Sequence, residues 1–228
     1  MTGVQTCALP IFITGTDTGV GKTQNAVQLL RLLRIAGTSC AGMKPICCGD
    51  RRDAELLLAA GTDGLKIDEI NPVWLKTPAA PIVGDVTEGA NVSIERVLAA
   101  FHALHDRVEH VIVEGVGGWM VPIRRDYFMS DLAAEMKLPV LVVTQNRLGC
   151  LNHTALTVRS VADYNLPCLG VVLNGVPMPG DIAALTNADV LETILNVPLL
   201  AGLGENLMEL PVDWRLMLDS ARDLSVLT

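Results

Sequence analysis

The sequence predicts an α/β fold in which a mostly parallel sheet carries helices on both faces, and three observations lead to this fold class. A glycine-rich turn near the start of the chain joins an apolar run to a helical pattern. Strand-length apolar runs then alternate with amphipathic helical patterns, which is typical of parallel sheets with helical crossovers. Several of these runs end in a polar residue beside glycine, as strands do at the ligand-binding edge of such sheets.

The glycine-rich turn lies in residues 11–23, which read IFITGTDTGVGKT, and it predicts a phosphate-binding loop. Backbone N–H groups of such a loop surround phosphate oxygens, and the following helix presents its positive end to the anion. Lys22 is expected to reach the β- and γ-phosphates, and the Thr23 hydroxyl is expected to bind Mg²⁺. The fold class is therefore refined to a three-layer fold of the P-loop NTPase type.

The spacing of this loop departs from the usual pattern. Gly15 and Gly21 have five residues between them, whereas the common motif has about four, and Thr16 stands where the first glycine is expected. The alternative is a glycine turn that only joins a strand to a helix. The Gly-Lys-Thr sequence between an apolar strand and a helical pattern favours the phosphate loop.

The composition of the 228-residue chain excludes some classes of partner. A net charge of −8, with an isoelectric point near 4.9, argues against nucleic acid held by general electrostatics. The mean hydropathy is +0.40, yet no apolar run reaches the roughly 18 residues of a membrane span. The six cysteines show no Cys-x-x-Cys spacing, which indicates free thiols in a reducing, cytoplasmic compartment.

The first residues differ in character from the rest. Residues 1–11 read MTGVQTCALPI and lack the charged region and cleavage site of a signal peptide. They resemble the translation of a common sequencing-adapter oligonucleotide, so we interpret them as a non-native segment in place of the native N-terminus. Residues 12–228 are predicted to form a single domain.

The remaining pattern predicts strands and helices in alternation. After the run that enters the loop, predicted strands cover residues 40–46, 111–114, 140–144, 169–173 and 198–201. Predicted helices cover residues 22–36, 53–60, 93–107, 130–136, 148–164, 181–195 and 212–224. Ser93 is the expected N-cap of its helix. Pro72, Pro78 and Pro81 predict an extended segment without a helix over residues 71–81.

Two charged residues follow or end predicted strands, where the ligand crevice of a parallel sheet forms. Lys44 could point at the same phosphates as Lys22, although a surface lysine with its ammonium in water fits the pattern equally well. Glu114 is followed by glycine and is expected to bind Mg²⁺ directly or through water. A carboxylate that only caps a turn is the alternative.

Other polar residues are interpreted as structural. His102 and His105 lie on the surface of a predicted helix without a carboxylate cluster, so we interpret them as solvated side chains. Neither these two nor His110, which follows the helix, is interpreted as a metal ligand. Cys47 and Cys48 are interpreted as small buried residues.

Several motifs that occur together and in order resemble the dethiobiotin synthetase family over residues 12–203. They are GTDTGVGKT at 15–23, Lys44-Pro45, Asp53-Ala54, Asn71-Pro72 with Pro78 and Pro81, EGVGGW at 114–119, Leu148-Gly149 through Asn152-His153, and Asn174. The resemblance implies that CO₂ adds to an amine of 7,8-diaminononanoate to give a carbamate. ATP then phosphorylates the carbamate, and the second amine closes the urea ring to give dethiobiotin, ADP and phosphate.

The resemblance also implies roles for individual residues. Lys22 and Lys44 would flank the γ-phosphate and the carbamate, and Thr18 would contact the carbamate or the amine. Mg²⁺, the expected cofactor, would be held by Thr23, Asp53 and Glu114. The residues expected around the nucleotide are Gly19, Val20, Gly21, Lys22, Thr23, Glu114, Gly117 and Asn174. The amide of Asn174 would bind the adenine edge.

The substrate carboxylate would bind where a helix begins, because free N–H groups there form an anion site. The residues concerned are Gly149, Cys150, Leu151 and Asn152. In the family this segment comes from the neighbouring subunit, so a homodimer is expected. One departure affects the diamine site: the family commonly has Ser or Thr shortly after Lys-Pro, whereas Cys47-Cys48 stands here, and Cys48 becomes the expected contact.

Three alternatives share the predicted fold. ParA/MinD-type ATPase switches carry an additional lysine near the start of their loop, where this chain has Thr16-Asp17-Thr18, and the acidic residues of the last predicted helix do not make a basic membrane face. Amidotransferase-linked ligases need a glutaminase domain for which the chain has no room. A silent nucleotide-binding relative is disfavoured because both lysines and both carboxylates of the predicted site are present.

Overall fold

The computed structural model describes residues 9–225, and strands alternate with helices throughout. The strands are β1 (Leu9–Gly15), β2 (Cys40–Met43), β3 (Ile46–Cys48), β4 (Val73–Leu75), β5 (His110–Glu114), β6 (Pro122–Arg124), β7 (Tyr127–Phe128), β8 (Val140–Gln145), β9 (Cys168–Asn174) and β10 (Leu199–Ala201). The helices are α1 (Lys22–Ile35), α2 (Arg52–Ala60), α3 (Ile67–Ile70), α4 (Pro81–Glu88), α5 (Ile94–His105), α6 (Met129–Glu135), α7 (Cys150–Asp163), α8 (Ile182–Ile194) and α9 (Val212–Ser225).

A six-stranded sheet with the order β10-β9-β8-β1-β5-β2 forms the centre of the structure. Every pairing in it is parallel, with Ile11 of β1 opposite Ile112 of β5 and Thr14 of β1 opposite Val142 of β8. Because all strands run the same way, their carboxyl ends share one edge of the sheet. The predicted α/β fold class is confirmed.

The burial of the central strands shows that both faces of the sheet are covered. All five residues of β5 and the first five of β8 are buried, and successive strand residues point to opposite faces. The apolar, β-branched composition of these strands is typical of parallel strands with helices on either side. The helix α1 packs on β1, β5 and β2, while α9 packs on β1 and β9.

Most predicted elements agree with the structure to within a few residues. The helix after the loop, predicted over residues 22–36, is α1, and the helix predicted over residues 93–107 is α5. The Ser93 hydroxyl accepts a hydrogen bond from the Arg96 N–H at 3.1 Å, which confirms the predicted N-cap.

The strand predicted over residues 40–46 is wrong as a single element. The structure divides it into β2, which pairs with β5, and β3, which pairs with β4 in a separate two-stranded sheet. The division falls at Lys44 and Pro45, where the Lys44 N–H turns to the Ile70 carbonyl at 2.8 Å. Pro45 has no N–H to continue a sheet ladder, so the chain leaves the main sheet there.

The prediction of an extended segment without a helix over residues 71–81 is wrong only at its last residue. Residues 73–75 form β4, and α4 begins at Pro81. Proline is tolerated at the first helical position because the N–H that it lacks has no partner within a helix there. Pro81 therefore starts a helix, which the sequence reasoning had excluded.

The N-terminal interpretation falls mostly outside the described residues. Residues 1–8 are not described, and residues 9–11 form the first part of β1, opposite His110, Val111 and Ile112 of β5. Whether residues 1–11 are non-native stays a prediction.

No helix within residues 9–225 combines the length and the apolar character that a membrane crossing requires.

His110 is buried, whereas His102 is exposed and His105 is partly exposed. His110 opens β5, its side chain is 2 % exposed, and its Nδ1 has no hydrogen-bond partner among the described residues. Burial, with a further contribution from the Arg222 charge, lowers the pKa of His110 to about 4 against the opposing effect of Glu109.

The free energy of unfolding is expected to depend on His110 below neutral pH. The folded state keeps this imidazole neutral, while the unfolded chain binds a proton below about pH 6.5, so stability is lost as the pH falls from about 6.5 to 4. The loss amounts to roughly 2–3 kcal/mol. Urea unfolding at several pH values should show a shallower dependence for His110→Leu, and the exposed His102→Leu should behave as the wild type. Equal slopes for all three proteins would contradict the assignment.

Candidate active site

The predicted phosphate-binding loop connects β1 to α1 at the carboxyl edge of the sheet. Gly19 and Gly21 have positive φ angles of 73° and 99°, which favour glycine. No side chain caps the start of α1, so the N–H groups of its first turn remain available to an anion. The Lys22 ammonium donates to the Asp17 carbonyl oxygen at 3.0 Å, and its side chain is largely buried. This geometry is that of a phosphate-binding loop.

The loop also depends on contact with the end of β9. The Asn174 amide donates from Nδ2 to the Val20 carbonyl oxygen at 3.0 Å, and a Cβ atom added to Gly21 would lie 2.0 Å from the same nitrogen. The Val20 side chain itself is buried in the core, so only its backbone is available to a nucleotide. The predicted contact of Asn174 with adenine stays a prediction.

Gly21→Ala is expected to weaken ATP binding about tenfold or more, because a positive φ costs a residue with a Cβ roughly 1–2 kcal/mol and Asn174 must also move. Equilibrium titration with a fluorescent ATP analogue measures this effect. Gly204→Ala is the matched control, since a Cβ there meets no atom within 4 Å. Unchanged affinity of the Gly21 variant would contradict the close packing of the loop on Asn174.

Lys44 is the centre of a buried ionic cluster beside the loop. Its Nζ lies 2.7 Å from Glu114 Oε1 and 2.8 Å from Asp53 Oδ2, and the Thr23 hydroxyl donates to the same Glu114 oxygen at 2.7 Å. Lys44 is 2 % exposed and Glu114 is fully buried. The interpretation of Lys44 as a solvated surface lysine is therefore excluded, and Glu114 does more than cap a turn.

The electrostatics of the cluster keep Lys44 charged. Burial alone would lower the pKa of the Lys44 ammonium, but the Glu114 and Asp53 carboxylates outweigh it and raise the pKa above its usual value. Lys44 in turn lowers the pKa of Asp53 against the effect of burial. The pKa of Lys22 falls to about 8, since burial exceeds the opposing effect of Glu114. Lys44 is therefore a fixed positive charge, while Lys22 retains its charge at neutral pH.

The oxygen atoms of this cluster fit a Mg²⁺ ion. Glu114 Oε2 is buried without a hydrogen-bond partner among the described residues, and the other oxygen of this carboxylate, Oε1, accepts from the Thr23 hydroxyl. Carboxylate and hydroxyl oxygens together with phosphate oxygens and water make the octahedral set that Mg²⁺ prefers. No group of three or more His, Cys, Asp or Glu side chains within residues 9–225 could hold a metal ion by itself. Mg²⁺ here would depend on Thr23 and on the phosphates of a bound nucleotide.

One cavity of about 650 Å³ joins the loop to the ionic cluster. Ten predicted site residues line it: Thr18, Gly19, Gly21, Lys22, Thr23, Lys44, Cys48, Asp53, Glu114 and Gly117. The structure thus brings together residues that are up to 99 positions apart in the chain.

The sequence reasoning missed one wall of this cavity. Residues 78–81 line it, although they were predicted only as an extended segment. Two prolines that flank two alanines indicate a rigid segment that can pack closely, but no rule of charge or spacing marks such residues as functional.

The two adjacent cysteines have different surroundings. Cys47 is buried, as predicted, with its Sγ 3.2 Å from the Asp50 carbonyl oxygen. Cys48 is only half-buried and lines the cavity. Burial, with a smaller effect of Cys47, raises the pKa of Cys48 to about 11, so it presents a neutral thiol to the cavity.

The predicted carboxylate-binding residues do not line this cavity within one chain. Gly149 adopts a left-handed conformation at φ 94° and precedes Cys150, the first residue of α7, with no side-chain cap on the helix. The Cys150 side chain is buried, whereas Asn152 is exposed. The Cys150 N–H donates to the Arg147 carbonyl oxygen at 3.1 Å, which leaves the N–H groups of Leu151 and Asn152 for a ligand, and their role in a neighbouring subunit's site stays a prediction.

Comparison with known proteins supports the same family. A family profile described as an AAA domain matches residues 10–207. The chain is 44 % identical to the ATP-dependent dethiobiotin synthetase BioD of Akkermansia muciniphila, over 88 % of this chain and 95 % of that protein. It is 40 % identical to the protein of the same name from Aromatoleum aromaticum, over 83 % of this chain and 87 % of that protein.

Solved structures show the fold alone. The septum site-determining protein MinD from Pyrococcus horikoshii, complexed with Mg-ADP, is similar with a TM-score of 0.53 at 15 % identity, over 84 % of this chain and 79 % of that one. The cell division protein MinD of Aquifex aeolicus is similar with a TM-score of 0.53 at 16 % identity, over 96 % and 97 %.

The two MinD proteins therefore share the fold of this chain at 15–16 % identity, whereas the two dethiobiotin synthetases match its sequence at 40–44 % identity over 83–88 % of its length. With the phosphate loop and the lysine–carboxylate cluster on one cavity, these findings show that the chain belongs to the family of ATP-dependent dethiobiotin synthetases.

Proposed function

We propose that the chain catalyses the ATP- and Mg²⁺-dependent carboxylation and ring closure of 7,8-diaminononanoate with CO₂, giving dethiobiotin, ADP and phosphate. The observation that carries this proposal is the buried Lys44, paired with Asp53 and Glu114 on the wall of the cavity that also contains the phosphate loop. A fixed positive charge beside a phosphate site suits an anionic carbamate that must meet the γ-phosphate.

The proposed reaction has three steps. One amine nitrogen bonds to CO₂ and loses a proton, which gives a carbamate. A carbamate oxygen then attacks the γ-phosphorus, and the bond to ADP breaks to leave a carbamic-phosphoric anhydride. Finally the second amine attacks the carbonyl carbon and loses a proton, and phosphate leaves with the former carbamate oxygen.

The residues of the cavity would position these groups and neutralise their charge, which is most of what phosphoryl transfer requires. Lys22 would bind the β- and γ-phosphates, and Lys44 would lie between the γ-phosphate and the carbamate. The Thr18 hydroxyl would donate to the carbamate. Thr23, Asp53 and Glu114 would hold Mg²⁺, which would supply additional positive charge to the phosphate oxygens.

We further propose a homodimer in which the start of α7 completes the neighbouring subunit's site. This would explain why the Leu151 and Asn152 N–H groups of the first turn of α7 have no side-chain cap while residues 149–152 lie away from the cavity of their own chain. The diamine would then extend from Lys44 and Cys48 toward its carboxylate at the partner's helix start.

A mixture of two inactive variants tests this arrangement. Lys44→Ala and Asn152→Pro, which removes one N–H group of this helix start, are each expected to be inactive or weak alone. They are expected to recover about a quarter of wild-type turnover when unfolded and refolded together, because half of the dimers contain one intact site. Refolding each variant alone is the control. No recovery in the mixture, with dimers present by light scattering, would contradict a shared site.

The proposed function is tested by phosphate release from Mg²⁺–ATP with the diamine and bicarbonate present, and with each omitted. We expect release only with both, together with dethiobiotin in the mass spectrum. Release that needs neither addition would contradict the proposal and would favour an ATPase switch. ATP binding without phosphate release would indicate a silent relative. Cys48→Ser would then be the first variant to test, because Cys48 departs from the family pattern.

A further inference from the structure

Asn71 and Arg51 form a hydrogen-bonded bridge next to the ionic cluster. The Asn71 side chain is buried, and its Nδ2 donates to the Lys44 carbonyl oxygen at 2.7 Å and to the Val73 carbonyl oxygen at 2.9 Å. Its Oδ1 accepts from Arg51 Nε at 2.7 Å. Both amide hydrogens and the amide oxygen are engaged, so the orientation of this side chain is fixed.

Arg51 connects the start of α2 to Asp68 and Asn71 through hydrogen bonds. It directly precedes α2, and its Nη2 donates to the Asn71 carbonyl oxygen at 2.9 Å and to Asp68 Oδ1 at 2.7 Å. Its guanidinium also lies 5.1 Å from the centre of the Trp74 ring. Because Asp53 is the second residue of α2, the position of its carboxylate depends on where Arg51 holds the helix.

The bridge replaces contacts that Lys44 loses when the chain leaves the sheet. After β2 ends at Met43, the Lys44 N–H donates to the Ile70 carbonyl and its own carbonyl accepts from Asn71. Buried peptide groups need such partners, and here they come from the last residue of α3 and the residue that follows it. Asn71 thus connects the backbone of Lys44 to the start of α2. The 2.8 Å contact between the Lys44 and Asp53 side chains connects the same two parts of the chain directly.

We propose that Asn71 and Arg51 are positioning residues that set the Lys44–Asp53 geometry for the reaction. The inference rests on the proposed function, because it assigns these residues to the chemistry and not only to the fold. Neither residue lines the cavity, so they act through Lys44 and Asp53. A purely structural bridge would change stability without changing the turnover of the folded enzyme.

The first test is steady-state kinetics of Arg51→Gln, which removes the charge while keeping a hydrogen-bonding side chain. We expect kcat to fall about 10- to 100-fold, as small misplacements of reacting groups do, with the KM for ATP nearly unchanged because the phosphate loop is untouched. Arg107→Gln is the matched control: Arg107 pairs with Glu69 of α3 at 2.6 Å on the surface, and no cavity residue depends on it. Loss of kcat in both variants in proportion to their lowered melting temperatures would overturn the inference.

Chemical rescue separates a missing guanidinium from a damaged fold. Millimolar guanidinium ion is expected to restore part of kcat to Arg51→Ala, because the ion can occupy the vacated position between Asn71 and Asp68. It should not change the activity of Arg107→Ala. No rescue, or the same response in both variants, would count against a positioning role.

The second test does not depend on turnover. The rate of reductive methylation of Lys44, measured by peptide mass spectrometry, is expected to rise about tenfold in Arg51→Gln as the bridge opens locally, and to stay unchanged in Arg107→Gln. If the wild type makes no dethiobiotin but labelling of Lys44 rises in Arg51→Gln, the proposed function is wrong, and the bridge between Asn71 and Arg51 still holds Lys44 in place. If labelling and kcat are both unchanged in Arg51→Gln, the inference is wrong.

Discussion

Lys44→Ala is expected to abolish turnover while leaving most of the ATP affinity intact. The Lys44 ammonium is held by Glu114 and Asp53 beside the phosphate loop, and we expect Lys22 and the loop N–H groups to bind the nucleotide without it. Removing a fixed charge that stabilises a transition state lowers kcat by about 10²–10³. Rapid-quench measurement of phosphate formation, beside titration with a fluorescent ATP analogue, separates the two effects.

Stability has to be controlled in this experiment. Glu114 is fully buried, and removing one partner of a buried ion pair typically costs about 3–5 kcal/mol. The double variant Lys44→Met/Glu114→Gln is expected to recover much of that stability without recovering turnover. A folded Lys44→Ala protein that loses ATP binding together with turnover would show that Lys44 is structural.

Glu114→Gln is expected to raise the Mg²⁺ concentration needed for half-maximal turnover by about 10- to 100-fold. The substitution keeps the shape of the side chain but removes its negative charge, which the Thr23 hydroxyl and Lys44 both contact. It also leaves Lys44 with Asp53 as its remaining carboxylate partner in the cluster, so kcat at saturating Mg²⁺ is expected to fall as well.

The matched control for this prediction lies just before the other end of the same strand. Glu109 precedes β5 and accepts hydrogen bonds from the Ser39 N–H and hydroxyl, away from the cavity. Glu109→Gln should keep the wild-type dependence on Mg²⁺. If Glu114→Gln does the same, Glu114 is not part of a metal site.

The sequence was most informative where chemistry requires a fixed local pattern. The Gly-Lys-Thr loop after an apolar run predicts Lys22 and Thr23, and the acid at the end of a buried strand predicts Glu114, and all three line the cavity. Such residues are recognisable because the carboxyl ends of parallel strands must meet at one edge. The loop is recognisable despite the extra residue between Gly15 and Gly21, because Gly21 still supplies a positive φ angle directly before Lys22.

Other features depend on tertiary contacts that the sequence does not encode locally. Pattern alone left Lys44 open between solvent and site, and only the distances to Asp53 and Glu114 decide the matter. The prolines predict no helix at residue 81, yet Pro81 begins α4. Proline is compatible with the first helical turn, and the sequence pattern does not show which proline starts a helix. Asn71 was noticed as part of a motif, but its bridge to Lys44 spans 27 positions and has no signature in the chain.

The measurement that tests the proposed reaction most directly uses ¹³C-labelled bicarbonate with the diamine and Mg²⁺–ATP. We expect dethiobiotin with one labelled carbon, formed in equal amount to the phosphate released, and neither product from the Lys44→Ala variant. Phosphate released in excess over labelled dethiobiotin, at the same rate with or without the diamine, would contradict the proposed function.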